Sequence, residues 1–213
     1  MITLYDYLPS QNGWKVRQLL HHLAIPYRTE IVSIFEGAGQ RDEFRAINPR
    51  GAVPAIRLDD GRVLSESNAI LWYLSGGTRY RDPEPYAEAK VLQWLSFETD
   101  YVQPSAGSLR YWTLTGKLGA RSPDLVAGKR ATAVRALSIL DEQLATRDFI
   151  AGPAYSIADI SIFAYAHLAG DADISTAHLS NFQRWVERVR AQDGHLAEMF
   201  PYSIDPHASA ELP

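Results

Sequence analysis

Apolar positions at the start of the chain change from a period of two to a period near 3.6. Residues 2–5 alternate in the way that is typical of a half-buried strand. After Pro9, four apolar residues follow the i, i+3, i+4, i+7 spacing of one helix face: Val16, Leu19, Leu20 and Leu23. This pattern predicts a strand and then a helix from Asn12 that ends at Pro26.

Predicted strands and helices continue to alternate along the chain as far as Gly76 and Gly77. The pattern predicts a strand at 27–34, a helix at 42–47, two short strands at 55–58 and 63–64, and a helix at 66–74. The turn between the two short strands is the polar segment 59–62. The predicted order is therefore β-α-β-α-β-β-α, which indicates an α/β domain over residues 1–77.

The composition changes at residues 78–85, which carry two prolines and which we interpret as a linker. From residue 86 to 213 the apolar spacing is helical, which predicts an all-helical second domain. Its helices are expected at about 86–112, interrupted or bent near Pro104, and at 123–145, 156–167 and 179–191. Residues 201–213 contain three prolines and form a tail with little pattern.

The composition is that of an ordinary globular protein, with 46% hydrophobic and 22% charged residues among 213. The 21 basic and 25 acidic residues include no basic run, so we expect neither nucleic-acid nor membrane binding. There is no cysteine, so any thiol chemistry needs a thiol from a ligand. The six histidines lack metal-ligand spacing, and the first residues lack a signal-peptide pattern; we expect a soluble, cytoplasmic protein without a metal site.

Four polar segments lie at predicted ends of strands or helices, where α/β domains place their ligands. Ser10 and Asn12 lie between the first strand and helix, and Gln40 and Arg41 precede the second helix. The segment 48–54, which ends in Val-Pro, leads into a strand, and Glu66-Ser67 begins the third helix. Their shared location predicts one binding site in the first domain.

In these segments the chain resembles the soluble glutathione S-transferase family, in particular its bacterial members with a serine at the site. The resemblance rests on the Ser10 loop, on NPRGAVPAI, on ESNAILWYL and on the helix start SIAD at 156–159, and it covers nearly the whole chain. It implies a thioredoxin-like first domain and a helical second domain. It also implies a homodimer that uses glutathione as co-substrate and holds no permanent cofactor.

The resemblance assigns parts of glutathione to particular residues. Val53, before a cis-proline at Pro54, would pair its backbone with the cysteinyl unit as an added strand does. Ser67 at a helix N-terminus would receive the γ-glutamyl carboxylate, and Glu66 would hold the γ-glutamyl amine. The glycyl carboxylate would be bound by one of three residues, since Ala52 stands where relatives often carry glutamine: Gln40, Arg41 or Arg50.

The family resemblance makes Ser10 the residue that activates the thiol. A free thiol has a pKa of about 8.5, and a hydroxyl donor at a helix N-terminus lowers that pKa by stabilising the thiolate. Ser10 on its own is also a common helix cap, and Asn12 could assist at the sulfur or cap the helix. Tyr7, or Tyr5, is the alternative donor, because other branches of the family use a tyrosine at the end of the first strand.

The resemblance implies that the long second-domain helix forms the wall of a pocket for a small hydrophobic electrophile, with four expected residues: Tyr101, Ser105, Tyr111 and Trp112. Asp100 resembles a residue that reaches the partner subunit's glutathione. Ser156 and Asp159 have the spacing of a capping box, so we expect a folding role for them. The expected function is glutathione transfer to an electrophile. The alternatives are a glutathione-dependent disulfide or peroxide reductase and a non-enzymatic carrier with the same fold.

Overall fold

The computed structural model describes residues 1–212. They form two compact units: the first contains Met1–Gly76 and the chain from Leu196 onward, and the second contains Gly77–His195. The first boundary lies at the two glycines that end the predicted α/β region. The return of the chain to the first unit at Leu196 is not part of the sequence prediction, which assigned all of 86–213 to the helical domain.

The first unit has the predicted element order β-α-β-α-β-β-α. Its elements are β1 Ile2–Asp6, α1 Gln11–His22, β2 Tyr27–Ile31, α2 Asp42–Arg45, β3 Ala55–Arg57, β4 Val63–Ser65 and α3 Ser67–Leu74. The strands form one mixed sheet in the order β2-β1-β3-β4, in which only β1 and β2 are parallel. This is the thioredoxin-like arrangement, so the fold predicted for this part of the chain is confirmed.

Alternate residues of β1 face two different apolar clusters. Leu4 is fully buried with Val16 and Leu20 of α1 and with Ile70 of α3, so these two helices cover one face of the sheet. Tyr5 points to the other face, where it packs with Phe44 of the short helix α2. Because both faces of β1 are covered, the strand's position is fixed, and so is the loop that leads from it into α1.

The second unit is helical, as predicted. Its helices are α4 Pro85–Phe97, a π-helix Glu98–Gly107, α5 Ser108–Leu114, α6 Pro123–Leu144, α7 Ile157–Ala166 and α8 Ser180–Arg190. Short 3₁₀ turns occur in both units. They occupy Ile34–Glu36, Ala38–Gln40 and Tyr202–Ile204 in the first unit, and Leu118–Ala120 and Ala169–Ala172 in the second. Among residues 1–212, none of the helices combines the length and the apolar character needed to cross a membrane.

The long helix expected at 86–112, interrupted or bent near Pro104, has ten of its residues in a π-helix. Pro104 lies inside this segment, and its missing N–H and bulky ring disturb α-helical hydrogen bonding. Side chains satisfy carbonyl groups there: the Ser105 hydroxyl donates to the Tyr101 carbonyl, and the Lys129 ammonium donates to the Pro104 carbonyl. The wide turn therefore has its own hydrogen-bond partners.

The expected capping box at the start of α7 is confirmed. Asp159 accepts hydrogen bonds from the Ser156 backbone N–H at 3.0 Å and from the Ser156 hydroxyl at 3.1 Å. It also accepts from the Ile150 N–H at 2.9 Å and from the Trp185 indole N–H at 2.8 Å. Complete burial raises the pKa of Asp159 to about 6, although these four donors oppose that rise.

The chain from Leu196 onward packs on the first unit through backbone and aromatic contacts. The Leu196 N–H donates to Gln18 Oε1 at 2.7 Å, and the Leu196 carbonyl accepts from the Trp14 indole at 3.1 Å. The Arg17 guanidinium lies 5.5 Å from the centre of the Phe200 ring. Tyr202 lies with its ring centre 6.3 Å from that of Tyr7. These contacts explain why this segment belongs with the first unit.

Candidate functional site

The loop between β1 and α1 holds Ser10 at the N-cap of α1. The Ser10 backbone is extended, with φ −69° and ψ 124°, and its N–H donates to the Tyr7 carbonyl at 2.8 Å. Its side-chain oxygen accepts from the Gly13 N–H at 3.3 Å. A serine hydroxyl that accepts one hydrogen bond keeps its own O–H to donate elsewhere. The helix-cap and thiol-donor interpretations of Ser10 are therefore compatible.

A buried ion pair beneath this loop fixes its course. The Arg17 guanidinium pairs with the fully buried Asp6 carboxylate and donates to the Leu8 carbonyl at 3.0 Å. The other Asp6 oxygen accepts from the Tyr7 N–H at 2.8 Å. Burial raises the pKa of Asp6, and the charge of Arg17 opposes this. Sequence reasoning missed this pair, because Asp6 and Arg17 are eleven residues apart and neither lies in a recognised motif.

The loop from Asn48 to Pro54 is shaped by one buried side chain. The Asn48 amide donates to the Ala52 carbonyl at 2.7 Å and accepts from the Arg50 N–H at 3.2 Å. The peptide bond between Val53 and Pro54 is cis, as the resemblance implied. Val53 is half-buried and lies two residues before the start of β3.

Two glycines bring the Gln40 segment against this loop. A Cβ added at Gly39 would lie 2.1 Å from the Gly51 carbonyl oxygen, so only glycine allows this close approach. Gly51 itself has φ +67°, a backbone conformation that is strained for a residue with a side chain. A Cβ at this position would lie 2.8 Å from the Gln40 amide nitrogen. Gln40 and Arg50 therefore lie on adjoining loops. Arg41 instead lines a groove of about 530 Å³ on the sheet face that carries Tyr5.

Glu66 and Arg50 form an exposed ion pair at the start of α3. The distance from Arg50 Nη1 to Glu66 Oε1 is 3.0 Å. Glu66 has φ 68°, a left-handed conformation that is uncommon for residues other than glycine, and it is the N-cap of α3 without making a side-chain cap. The pair places two charges of opposite sign side by side, next to the buried Ser67.

Ser67 connects α3 to α1 through a short chain of polar side chains. The Ser67 hydroxyl donates to Asn12 Oδ1 at 3.3 Å. Lys15 is completely buried, and its Nζ lies 3.5 Å from Ser67 Oγ. Two predicted binding residues, Asn12 and Ser67, are thus in direct contact, and Lys15 is a third member that sequence reasoning did not include. Its position one turn after Asn12 was the available signal.

A cavity of about 260 Å³ lies within the first unit, beside the loop that leads to Ser10. Its walls come from the β1–α1 loop, from the segment after β2 and from the tail. The lining residues are Tyr7, Leu8, Pro9, Ile31, Ser33, Glu36, Ile204, Asp205, Pro206 and His207. The wall is mostly apolar. His207 Nε2 lies 3.6 Å from Glu36 Oε1, and these two lining residues form an ion pair when the histidine is protonated.

The residues expected to bind the electrophile occupy different environments in the second unit. Tyr101 is 49% exposed and packs on Phe97, whereas Ser105 is buried. The Tyr111 hydroxyl accepts from the Lys117 ammonium at 2.6 Å. Trp112 is flanked by two cations: Arg121, at 5.2 Å from its ring centre, and Lys129, at 5.5 Å. Within residues 1–212, no group of three His, Asp or Glu side chains could hold a metal ion.

Two solved structures have the same fold over most of the chain. A glutathione S-transferase from Pseudomonas fluorescens Pf-5 is 32% identical, with a TM-score of 0.88 over 92% of this chain and 97% of its own. A glutathione transferase from Pseudomonas putida, solved with one glutathione disulfide bound per subunit, is 26% identical. Its TM-score is 0.80, over 91% of this chain and 88% of its own.

Two curated relatives differ in function. The disulfide-bond oxidoreductase YfcG of Escherichia coli K12 is 29% identical over 199 residues, which cover 90% of this chain and 91% of that protein. Elongation factor 1-gamma of Danio rerio is 40% identical over 167 residues. That match covers 75% of this chain but only 36% of the elongation factor.

Family models for the two domains match separate parts of the chain. The N-terminal domain of glutathione S-transferase matches residues 9–75, which include every predicted glutathione contact. The C-terminal domain of glutathione S-transferase matches residues 123–188. Together the two matches cover more than half of the chain, and bacterial transferases have its fold. The protein belongs to the glutathione S-transferase family.

Proposed function

We propose that the protein is a glutathione transferase, in which Ser10 stabilises the glutathione thiolate for attack on a hydrophobic electrophile. The observation that carries the proposal is the geometry of Ser10. Its oxygen caps α1 while its O–H is left to donate, at the helix end where partial positive charge favours an anion. A hydrogen bond to a charged acceptor contributes about 1.5–3 kcal/mol, which equals one to two units of thiol pKa.

Glutathione would lie across the ends of β1, β3 and β4. Its cysteinyl unit would pair with the backbone of Val53, a half-buried residue. The Glu66–Arg50 pair offers a carboxylate and a guanidinium side by side, which suits the amine and carboxylate of the γ-glutamyl group. Ser67 would add its hydroxyl and the N-terminus of α3, and Gln40, held by the two close glycines, would meet the glycyl end.

The test is an ultraviolet titration of the bound thiolate in wild type, Ser10→Ala and Tyr7→Phe. We expect the bound thiol of wild type to have a pKa well below the free value of about 8.5. Ser10→Ala should raise that pKa, and Tyr7→Phe should leave it in place, because Tyr7 is buried against Phe35 and Tyr202. An unchanged pKa in Ser10→Ala, with glutathione bound, would contradict the role of Ser10.

The electrophile would occupy the cavity of about 260 Å³ beside the Ser10 loop. The cavity is lined mainly by apolar side chains, and its wall includes Pro9, the residue directly before Ser10. An attacking thiolate at Ser10 would therefore be next to an apolar volume suited to a small hydrophobic molecule.

A second candidate function is glutathione-dependent disulfide reduction. It is favoured by the similarity to the disulfide-bond oxidoreductase over nine tenths of the chain. The chain has no cysteine, so such chemistry would pass between two glutathione molecules and the substrate disulfide. Parallel assays of disulfide reduction and aryl-halide conjugation separate the two functions. Tight glutathione binding without either activity would favour a carrier.

We also propose that the protein is a homodimer. Two apolar residues lie exposed on helices of the second unit: Leu92 of α4, which is 52% exposed, and Val134 of α6, which is 44% exposed. Exposed apolar side chains of this size mark an interface when they form one patch. Light scattering on wild type and on a Leu92→Glu, Val134→Glu variant tests this, since the charges should give monomers.

A further inference from the structure

The groove on the sheet face that carries Tyr5 is a concave site that the proposed function does not use. Its volume of about 530 Å³ is in the range of roughly 300–1,000 Å³ that small-molecule sites have. All of its lining belongs to the first unit, and it shares only Ile31 with the cavity beside Ser10. We call it the Tyr5 groove, and the residues that give it its chemistry are Tyr5, Phe44, Arg41 and Arg57.

The buried lining of the Tyr5 groove is aromatic and aliphatic. Phe44 is buried and packs edge-on against Tyr5, with 5.8 Å between the two ring centres. Val32 is buried in the same apolar cluster, and Ile47 is half-buried against it. A ligand with a flat apolar ring would therefore lose contact with water when it lies against these side chains, which favours binding.

Tyr5 adds a hydroxyl donor to this apolar lining. The residue is only 4% exposed, and among residues 1–212 its hydroxyl has no hydrogen-bond partner. Buried hydroxyl groups ordinarily have a partner, because an unmade hydrogen bond costs free energy. The Tyr5 hydroxyl is not sealed from solvent, so a molecule in the groove can supply the missing acceptor.

Two guanidinium groups line the Tyr5 groove without a carboxylate partner. Arg57 is half-buried, and its Cζ lies 5.4 Å from the centre of the Tyr5 ring. Arg41 is exposed and directly precedes α2. Within residues 1–212, neither arginine forms an ion pair with an aspartate or a glutamate. The planar N–H donors of a guanidinium match the two oxygens of a carboxylate, so these residues favour an acidic ligand.

The acidic residues of the Tyr5 groove limit the charge of that ligand. Glu30 is paired with Arg28 at 3.0 Å, so its charge is already balanced. Glu43 is exposed in the first turn of α2 and has no basic partner in the described part of the chain. Two unpaired arginines against one unpaired glutamate leave the groove positive by one charge. This balance favours a ligand with a single negative charge over a dianion.

We infer that the Tyr5 groove is a binding site for a small aromatic monocarboxylate. The ring of the ligand would lie against Phe44 and the aliphatic side chains. Its carboxylate would accept hydrogen bonds from the Arg57 guanidinium and from the Tyr5 hydroxyl, and Arg41 would add a second positive charge. This inference does not depend on the proposed function, because the polar residues of the groove belong to neither the proposed glutathione site nor the electrophile cavity.

The experiment is a calorimetric titration of the full chain with 1-naphthoate and with 1-naphthamide, which has the same ring system without the charge. We expect saturable binding of naphthoate, about tenfold tighter than that of naphthamide, because hydrogen bonds to a charged acceptor are the stronger ones. Equal affinities for the two probes would overturn the inference, and so would the absence of saturable naphthoate binding.

Three variants assign the binding to the groove. Arg57→Gln and Arg41→Gln should each weaken naphthoate binding severalfold, and Tyr5→Phe should weaken it less, while naphthamide binding changes little. Arg45→Gln is the matched control, because Arg45 is an exposed residue of α2 outside the groove lining and should leave the naphthoate Kd unchanged. Thermal unfolding reports whether each variant folds. If Arg57→Gln does not fold, Arg41→Gln decides, and an unchanged naphthoate Kd in that variant would overturn the inference.

Two further titrations separate the groove from the sites of the proposed function. Saturating glutathione should not compete with naphthoate, and Ile204→Trp, which alters the cavity beside Ser10, should not weaken naphthoate binding. Competition by glutathione, or a loss of affinity in Ile204→Trp, would place the probe in one of those sites and overturn the inference. A protein that binds no glutathione but binds naphthoate through Arg57 would instead contradict only the proposed function.

Discussion

Asp6 and Gly13 touch so closely that no side chain fits between them. A Cβ on Gly13 would lie 1.9 Å from Asp6 Oδ1, inside the first turn of α1. The carboxylate is held from the other side by Arg17 and by the Tyr7 N–H, so it has little room to move. This contact fixes the distance between the end of β1 and the turn that Ser10 caps.

Because of this contact, we expect Gly13→Ala to lower the stability of the protein, which is the opposite of its usual effect within a helix. In an open helical position alanine is more stable than glycine by about 1 kcal/mol. At Gly13 the added methyl should instead destabilise the protein by about 1–3 kcal/mol, because the Asp6 carboxylate must shift. Chemical denaturation measures both. Gly128→Ala in α6, where no atom lies within 4 Å of the new methyl, should be neutral or stabilising. A stabilising Gly13→Ala would show that Asp6 moves easily.

Asp159→Ala should lower stability without affecting the thiol chemistry. The substitution leaves the N–H groups of Ile150, Ser156 and Trp185 buried without their acceptor, and each such loss costs about 1–3 kcal/mol. We expect a loss of several kcal/mol in denaturant titrations and an unchanged pKa of bound glutathione below the unfolding transition. Ser122→Ala, an exposed cap of α6, should cost only about 1 kcal/mol. Similar losses for the two variants would mean that the buried network adds nothing to capping.

The stability of the protein should depend on the titration of Asp159. Its folded pKa is about 6, above the ordinary value of 3.8, so the folded state takes up a proton first as the pH falls. The stabilisation from this uptake is complete below pH 4 and is lost as the pH rises through 6. Relative to Asp159→Asn, wild type should therefore gain stability between pH 7 and pH 4. Parallel pH profiles for the two proteins would contradict the raised pKa.

Ile204→Trp should block the electrophile and leave glutathione in place. Ile204 lines the cavity beside the Ser10 loop, and a larger side chain would fill part of its 260 Å³. We expect a higher KM for bulky electrophiles, with the glutathione Kd and the thiol pKa unchanged. Leu212→Trp, also on an exposed tail residue but outside the cavity lining, is the control. Equal kinetics for all three proteins would place the electrophile elsewhere.

Removing the charge of Arg50 or of Glu66 should weaken glutathione binding far more than it lowers the stability of the protein. Exposed ion pairs contribute about 0–1 kcal/mol to stability, and both side chains here are mostly exposed. Arg50→Ala and Glu66→Gln should therefore unfold near the wild-type temperature while glutathione binds roughly tenfold more weakly, a loss of about 1.4 kcal/mol by calorimetry. Arg62→Ala removes a comparable exposed pair with Asp60 and should change neither property. An unaltered glutathione Kd in Arg50→Ala would remove that residue from the site.

The first strand and the first helix could be predicted because their buried residues are regularly spaced. Leu4 and Tyr5 alternate between two faces, and Val16 and Leu20 repeat along one side of α1. The π-helix could not be predicted from spacing alone. Its apolar residues follow a nearly helical period, and the extra width depends on Lys129, which reaches the Pro104 carbonyl from another helix.

The residues of the candidate site that lie in short sequence motifs could be predicted. The residues whose role depends on burial were missed. Ser10, Val53-Pro54 and Glu66-Ser67 lie in short motifs at element ends, so they could be named from the sequence. The charged residues Asp6 and Lys15 were not among the predicted site residues. Only the packing of α1 against the sheet and α3 reveals that both are fully buried.

The bonds that Leu196 makes to Trp14 and Gln18 join residues 182 and 178 positions apart. During synthesis, the ribosome must release the entire helical unit before these partners can meet. The sheet with α1 and α3 can form early, since domains generally fold as units from the N-terminus. The cavity beside Ser10, however, has one wall made of residues 204–207, so it is complete only after the helical unit and these residues have been synthesised. The nascent first unit is thus a thioredoxin-like core that lacks one wall of its proposed substrate pocket.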